Sequence, residues 1–302
     1  MANIKHQFRQ VISRIITLIP DRFFQLIITL WLEKVSQQED WTPQDRDSLL
    51  LGFYLWLNRI EKEEGLKDSD RDLLNLGFNL LLDNIAREDP KTALRSLLEI
   101  DDNLIHSINT VAIKYDNGVH VKHRLTKYHD FFTDRIQKGD RVLDIGCGNG
   151  ALANDIAQKS GAIVTGIDIN SESIQFAKRR FTHPNLAFIE GNALSYNFNE
   201  SFNVIVLSNV LEHIEYRIEF LLGIQANIQP EQILIRVPAI DRHWLVPLRQ
   251  ELGLFYFSDI THYTEYTCES FEEELNAADL QIKHLQINWG EIWSEVRMKS
   301  HQ

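Results

Sequence analysis

Apolar residues recur along this chain at two different periods, and the change of period divides it. In residues 2–37, Ile12, Ile15, Ile16 and Ile19 stand at helical spacing, as do Phe24, Ile27, Ile28, Trp31 and Leu32. They predict one helix broken near Pro20, or two helices, with a buried face or a surface for a membrane or greasy ligand. A repeat follows: Asp45-Arg46-Asp47-Ser48-Leu49-Leu50-Leu51-Gly52-Phe53 returns as Asp70-Arg71-Asp72-Leu73-Leu74-Asn75-Leu76-Gly77-Phe78, an offset of 70 − 45 = 25 residues. Its stripes, Leu49-Phe53-Trp56-Ile60 and Leu74-Phe78-Leu81-Ile85, predict an antiparallel pair of helices, each burying the other's apolar face. Two copies are too few for a solenoid. A further helix is expected over Thr92–Lys114, stopped by Asp116-Asn117-Gly118. That turn is taken as the boundary between a helical domain, 1–115, and a second domain, 116–302. Leu125, Tyr128, Phe131 and Phe132 open the second domain and are expected to face its core.

From Arg141 the period shortens. Apolar runs of five to seven residues predict strands at 141–145, 163–168, 186–190, 203–207 and 232–237, alternating with helices at 150–160, 171–181, 214–228 and 269–278. Short loops between alternating strands and helices mean a parallel sheet covered on both sides. Leu280 to Arg297 is expected to supply two last strands, with Trp289 to Trp293 as core and strand material.

The first strand ends in Asp144-Ile145-Gly146-Cys147-Gly148-Asn149-Gly150. Glycine permits a turn through positive φ and leaves no Cβ between main chain and ligand. The helix that follows aims free N–H groups over the turn. Asp168, at the end of the second strand, lies 168 − 146 = 22 residues on, placed to take the hydroxyls of a ribose. These features alone fit NAD and S-adenosylmethionine equally.

Composition narrows the classes. The net charge of −12 disfavours duplex nucleic acid as a partner. Two cysteines, Cys147 and Cys268, fit a reducing compartment and neither a disulfide framework nor a Cys-rich zinc site. His120, His123 and His129 lack the spacing of a helical zinc pair and are expected to be solvated or to support other residues. The N-terminus has no evident signal peptide, and its longest uncharged apolar stretch, Phe23 to Leu32, is too short to span a bilayer. A cytoplasmic location without a transmembrane segment is expected.

Taken together, four motifs in order resemble the class I S-adenosylmethionine-dependent methyltransferases, over about residues 119–302. They are Asp144 to Gly150; Asp168; Glu190-Gly191-Asn192-Ala193, with Asn where Asp is usual; and Val204 to Leu207 running into Ser208-Asn209-Val210-Leu211-Glu212-His213. The resemblance implies a Rossmann-like, doubly wound α/β sheet made mixed by a final hairpin, beside the separate all-α N-terminal domain. It implies S-adenosyl-L-methionine as cofactor. Gly146, Gly148 and Gly150 would lie against its methionine part, Asp144 would meet the ammonium, Asp168 the ribose hydroxyls and Asn192 with Ala193 the adenine, with Ile169 as a further cofactor contact. Ser208 and Asn209 would complete the crevice, and Arg124 or Tyr128 from the preceding segment would meet the carboxylate.

Methyl transfer asks for alignment and exclusion of water, and a hydroxyl acceptor gains from a base, for which His suits neutral pH. Glu212-His213 resembles the corresponding run of quinone-biosynthesis O-methyltransferases. In some small-RNA 2′-O-methyltransferases a similar Glu-x-x-Glu-His holds magnesium with a later His; here Asn209 replaces the first Glu, and no metal is expected. His262 to Thr267 matches a "His-x-x-x-Tyr/Phe-Thr" element of related methyltransferases. His213 and His262 are the candidate bases. Asp241, Arg242, His243, Trp244 and Tyr266 are the substrate-side candidates, the alternative being ion pairing and packing beneath a loop. The expected activity is O-methylation of a small molecule or glycan, with a homodimer through the helical domain as a candidate assembly. The rival readings are an NAD-dependent oxidoreductase and a non-catalytic scaffold.

Overall fold

The computed structural model describes residues 85–299 except Asn199, with scattered positions between Arg71 and Asp83 before them. The predicted repeat hairpin, those few positions and Ile85 aside, and the helices before it lie outside these residues. A long helix runs over Pro90–Tyr115, and a compact unit begins within it at Leu98. Inside that unit Arg249 ties the helix down, donating to the Leu98 carbonyl and pairing with Asp101 and Asp102. Asn117 and Gly118 then turn the chain through positive φ.

Seven strands form one sheet: β1 (Arg141–Ile145), β2 (Ile163–Asp168), β3 (Leu186–Glu190), β4 (Val204–Ser208), β5 (Gln232–Pro238), β6 (Leu280–Asn288) and β7 (Glu291–Met298). Their order is β3-β2-β1-β4-β5-β7-β6, with β1 to β5 parallel and β7 antiparallel to both neighbours. Each predicted strand of the parallel set falls within one residue of its place. The signal was strong because a parallel strand buried on both faces reads as a continuous apolar run.

Alternate side chains sort onto the two faces. Leu143, Ile145, Ile205, Leu207, Ile233 and Ile235 join one core, with Leu221 and Ile224 of the Arg217–Ile228 helix and Phe271 and Leu275 of the Cys268–Ala277 helix. Val142, Val204, Val206 and Leu234 join the other, with Phe132, Ile156 and Ala177 of the Tyr128–Thr133, Ala151–Ser160 and Ser171–Arg180 helices. The Asn170 side chain accepts from Ser173 N–H, and Thr267 with Ser270 forms a capping box, so polar residues fix where two of these helices begin.

Three expectations need correction. Lys127 adopts φ 53° between the Lys122–Thr126 and Tyr128–Thr133 helices, and the break leaves Leu125 62% exposed rather than in the core. Trp289 and Gly290, both at positive φ, make the β6–β7 turn, where a two-residue hairpin demands that backbone; Trp289 is 72% exposed, while Ile292 and Trp293 are buried. The helix expected from residue 214 begins at Arg217, after a 3-10 turn over Leu211–His213. Among the described residues no helix is long and apolar enough to cross a membrane.

Candidate active site

The glycine turn leaves the carboxyl end of β1 with φ of 68°, 52° and 78° at Gly146, Gly148 and Gly150. A Cβ on Gly146 would come within 2.8 Å of Val210 Cγ2, and one on Gly150 within 2.5 Å of Phe188 Cζ. A Cβ on Gly148 would meet nothing within 4 Å. Two glycines are thus demanded by packing, and the middle one borders open space. The turn is anchored to β2: Gly146 and Cys147 donate to the Ile167 carbonyl, and Gly148 N–H donates to Asp168 Oδ2 at 2.8 Å. The other Asp168 oxygen accepts from Asn170 N–H. Cys147 is buried and burial pushes its thiol up, so it is not a nucleophile.

Asp144 is buried, and its Oδ2 has no hydrogen-bond partner. Burial, with the charge of Asp168 added, pushes its carboxyl up to about 8. A buried carboxyl without a partner, beside a turn that borders open space, is stabilised in its ionised form by a cationic ligand and disfavoured by a diphosphate. The ammonium and sulfonium of S-adenosylmethionine fit; the diphosphate of NAD does not.

Ile169 is exposed beside Asp168. Asn192 Oδ1 accepts from Leu194 N–H, closing the turn after β3, and Ala193 packs half-buried against the core. Ser208 Oγ accepts from Arg236, while Asn209, at φ 57°, keeps a buried Oδ1 without a partner. Tyr128 is buried: its ring lies on the Arg236 guanidinium and its hydroxyl bonds His123. Arg124 faces an open cavity of about 420 Å³ and pairs with Asp116.

The loops after β4 and β5 bring His213 and His262 together, ring centroids 4.6 Å apart and edge to face. His262 Nδ1 bonds Glu265 Oε1 at 2.9 Å. A carboxylate only accepts, so Nδ1 carries the proton and a neutral His262 presents its lone pair on Nε2. His213 Nδ1 bonds Thr261 Oγ1, whose own hydroxyl donates to Asp259. That hydroxyl has one proton to give, so His213 also presents Nε2. Burial and the His262 charge hold His213 below the usual imidazole range. Glu212, next to His213 in the chain, is fully buried with neither side-chain oxygen bonded, and burial pushes it up to about 7. Donor atoms of Glu212, His213 and His262 lie within 4.8 Å of one another, close enough to share one cation.

The substrate-side candidates divide. Asp241, His243 and Trp244 are exposed, with His243 Nδ1 accepting from Leu245 N–H. Arg242 turns inward, held by Glu265 and by the carbonyls of Ala239 and Tyr256. Tyr266 lies in the core, pairs with Ala239 as an isolated bridge, and donates its hydroxyl to Glu274. For these two the structure favours ion pairing and packing beneath the loop over contact with an acceptor.

Three important residues gave little sign in the sequence. Arg236 sits in β5, clamped to Glu291 and under Tyr128. Glu265 is a buried hub in a polar stretch; its place three residues after His262 is the one hint. His129, expected to be solvated or supporting, is buried and paired with Asp155 at 2.8 Å.

The chain matches the family model described as "Methyltransferase domain" over residues 136–292, more than half its length. It is 26% identical over 194 residues to a mitochondrial ubiquinone biosynthesis O-methyltransferase of Schizosaccharomyces pombe, covering 61% of this chain and 68% of that one. It is 29% identical over 124 residues to a fatty-acid O-methyltransferase of Mycolicibacterium smegmatis, 40% of this chain and 45% of the relative. Here the chain spans less than half of the relative's length. Among solved structures, a chain of the Haloferax volcanii complex with the Trm112 methyltransferase activator is similar in fold, with a TM-score of 0.50, 16% identity, and coverage of 64% of this chain and 96% of that one. The glycine turn, the buried unpaired Asp144, the mixed seven-stranded sheet and the family match agree: this chain belongs to the class I S-adenosylmethionine-dependent methyltransferases.

Proposed function

We propose that this methyltransferase methylates a hydroxyl oxygen of a small molecule or glycan, with the His213–His262 pair taking the proton. The observation that carries this reading is the pair of imidazoles, ring centroids 4.6 Å apart, whose Nδ1 atoms are engaged by Thr261 and Glu265, which leaves the lone pair of each neutral ring on Nε2. A hydroxyl is a poor nucleophile until its proton leaves, whereas a carboxylate needs no base. The relatives named as O-methyltransferases lend support.

S-Adenosylmethionine, when bound, supplies the methyl group together with its leaving group. Asp144 would hold the ammonium, the Gly146–Gly150 turn would flank the amino-acid part, and Asp168 would take the ribose hydroxyls through lone pairs left by its two backbone bonds. Ile169, Asn192 and Ala193 would border the base, and Ser208 and Asn209 would close the crevice toward the acceptor. Arg236 supports that wall, since it fixes Ser208 and Tyr128 at once. Asp241, His243 and Trp244 would meet the acceptor from outside.

The test is a panel of catechol, phenol, a sugar alcohol, a fatty acid and a primary amine, assayed for transfer of labelled methyl. Transfer to a hydroxyl member, reduced about 10²- to 10⁴-fold in H262N, is expected. Transfer only to the fatty acid or the amine, insensitive to H213N and H262N, would overturn the reading.

A further inference from the structure

Resting on the reading of the histidine pair as the base, we infer that Glu265 is a positioning residue: it locks His262 with the proton on Nδ1, keeps Nε2 open to the acceptor, and balances the imidazolium that forms. The Glu265 side chain is 0% exposed. Its Oε1 accepts from His262 Nδ1 at 2.9 Å and from Ser258 Oγ at 2.7 Å, as well as from Ser258 N–H. Its Oε2 takes Arg242. Burial works against its charge, but bonds from His262 and Ser258 and the Arg242 guanidinium outweigh it and hold the carboxyl below its usual range. An ionised acid in that place can only accept, so the imidazole has no choice of tautomer.

The two histidines differ in this respect. His213 leans on the neutral hydroxyl of Thr261, which is exposed, and only through it on Asp259. His262 leans directly on a buried charge. When the acceptor's O–H gives its proton to Nε2, the oxygen keeps the electron pair that forms the new O–C bond. The proton stays on an imidazolium whose charge the carboxylate already faces. Two adjacent imidazoles cannot both take up a second proton cheaply, so the one beside the carboxylate is the one that charges. Arg242 serves as the tether: it anchors Glu265 to the Ala239 and Tyr256 carbonyls, so the acid cannot swing away.

The test uses full-length protein labelled with ¹⁵N-histidine and saturated with S-adenosylhomocysteine. In the wild type, His262 should show a protonated Nδ1 and an unprotonated Nε2. In E265Q the tautomers should mix, and kcat on the best hydroxyl acceptor of the panel should fall about 10²- to 10⁴-fold with KM within about threefold. R242Q, which keeps the carboxylate, should retain the Nδ1–H tautomer and lose less than about tenfold. If E265Q does not fold, E265Q/R242Q removes the stranded charge and carries the same readout. A wild-type His262 protonated on Nε2, or an E265Q enzyme with unchanged tautomer and kcat, overturns the inference. The base reading fails separately: that would be H262N and H213N both retaining wild-type kcat.

Discussion

The guanidinium of Arg236 lies on the face of Tyr128, its central carbon 3.8 Å from the ring centroid, while its nitrogens grip Glu291 and Ser208. One buried side chain thus joins the segment before β1, the end of β4 and the start of β7. Removing one member of a buried ion pair strands the other, at a cost of about 3–5 kcal/mol. R236M should therefore lose about that much in urea unfolding. R236K, a point charge without the fork, should recover only part.

Asp144 ties cofactor affinity to pH. Its proton is held up to about 8 without ligand, and a cation binds the deprotonated form. Affinity for S-adenosylhomocysteine should therefore rise with pH from about 6 to about 8, by at most about tenfold per unit, and level off above. The folded value is raised above the unfolded one, so the stability this proton contributes is complete below the unfolded value and lost as pH rises through about 8. D144N should flatten both trends. Calorimetry and melting curves across pH read them.

His123 has the opposite sign. Its ring, wedged between Tyr128 and His129, is held down to about 3 by burial and by the charges of His129, Lys122, Arg236 and His120. A depressed imidazole stabilises the fold fully above its unfolded value, near 6.5, and the contribution is lost as pH falls from there toward about 3. The slope is at most about 1.4 kcal/mol per pH unit. Replacing His123 with Asn should shallow the loss of stability between pH 6.5 and 4, measured by denaturant midpoints.

Gly148 and Gly150 should separate under mutation to alanine. G150A places a methyl inside Phe188 at positive φ and should unfold the protein or cost more than about 3 kcal/mol. G148A meets no protein atom and should cost only about 1–2 kcal/mol for its backbone, yet weaken S-adenosylhomocysteine at least tenfold. Equal effects on folding and binding at both positions would contradict the roles given to them.

The sheet was legible because burial on both faces writes apolar runs, and Val204–Leu207 and Ile233–Val237 are buried throughout. The glycine turn was legible because positive φ restricts residue choice. What stayed hidden depended on contacts between distant residues. Nothing local marks Arg236 as the partner of Glu291, 55 positions away, or turns Arg242 inward toward Glu265. Leu125 and Trp289 show the reverse failure: each follows the apolar pattern, and a single left-handed residue nearby or at the position itself carries it into solvent.

The most direct measurement is calorimetric titration of the full-length protein with S-adenosylhomocysteine and with NAD, for the wild type, D144N and D168N. A cofactor crevice between Asp144 and Asp168 predicts saturable binding of S-adenosylhomocysteine, weakened at least tenfold in each variant, and no heat from NAD. Binding of NAD, or S-adenosylhomocysteine affinity untouched by both substitutions, would contradict it.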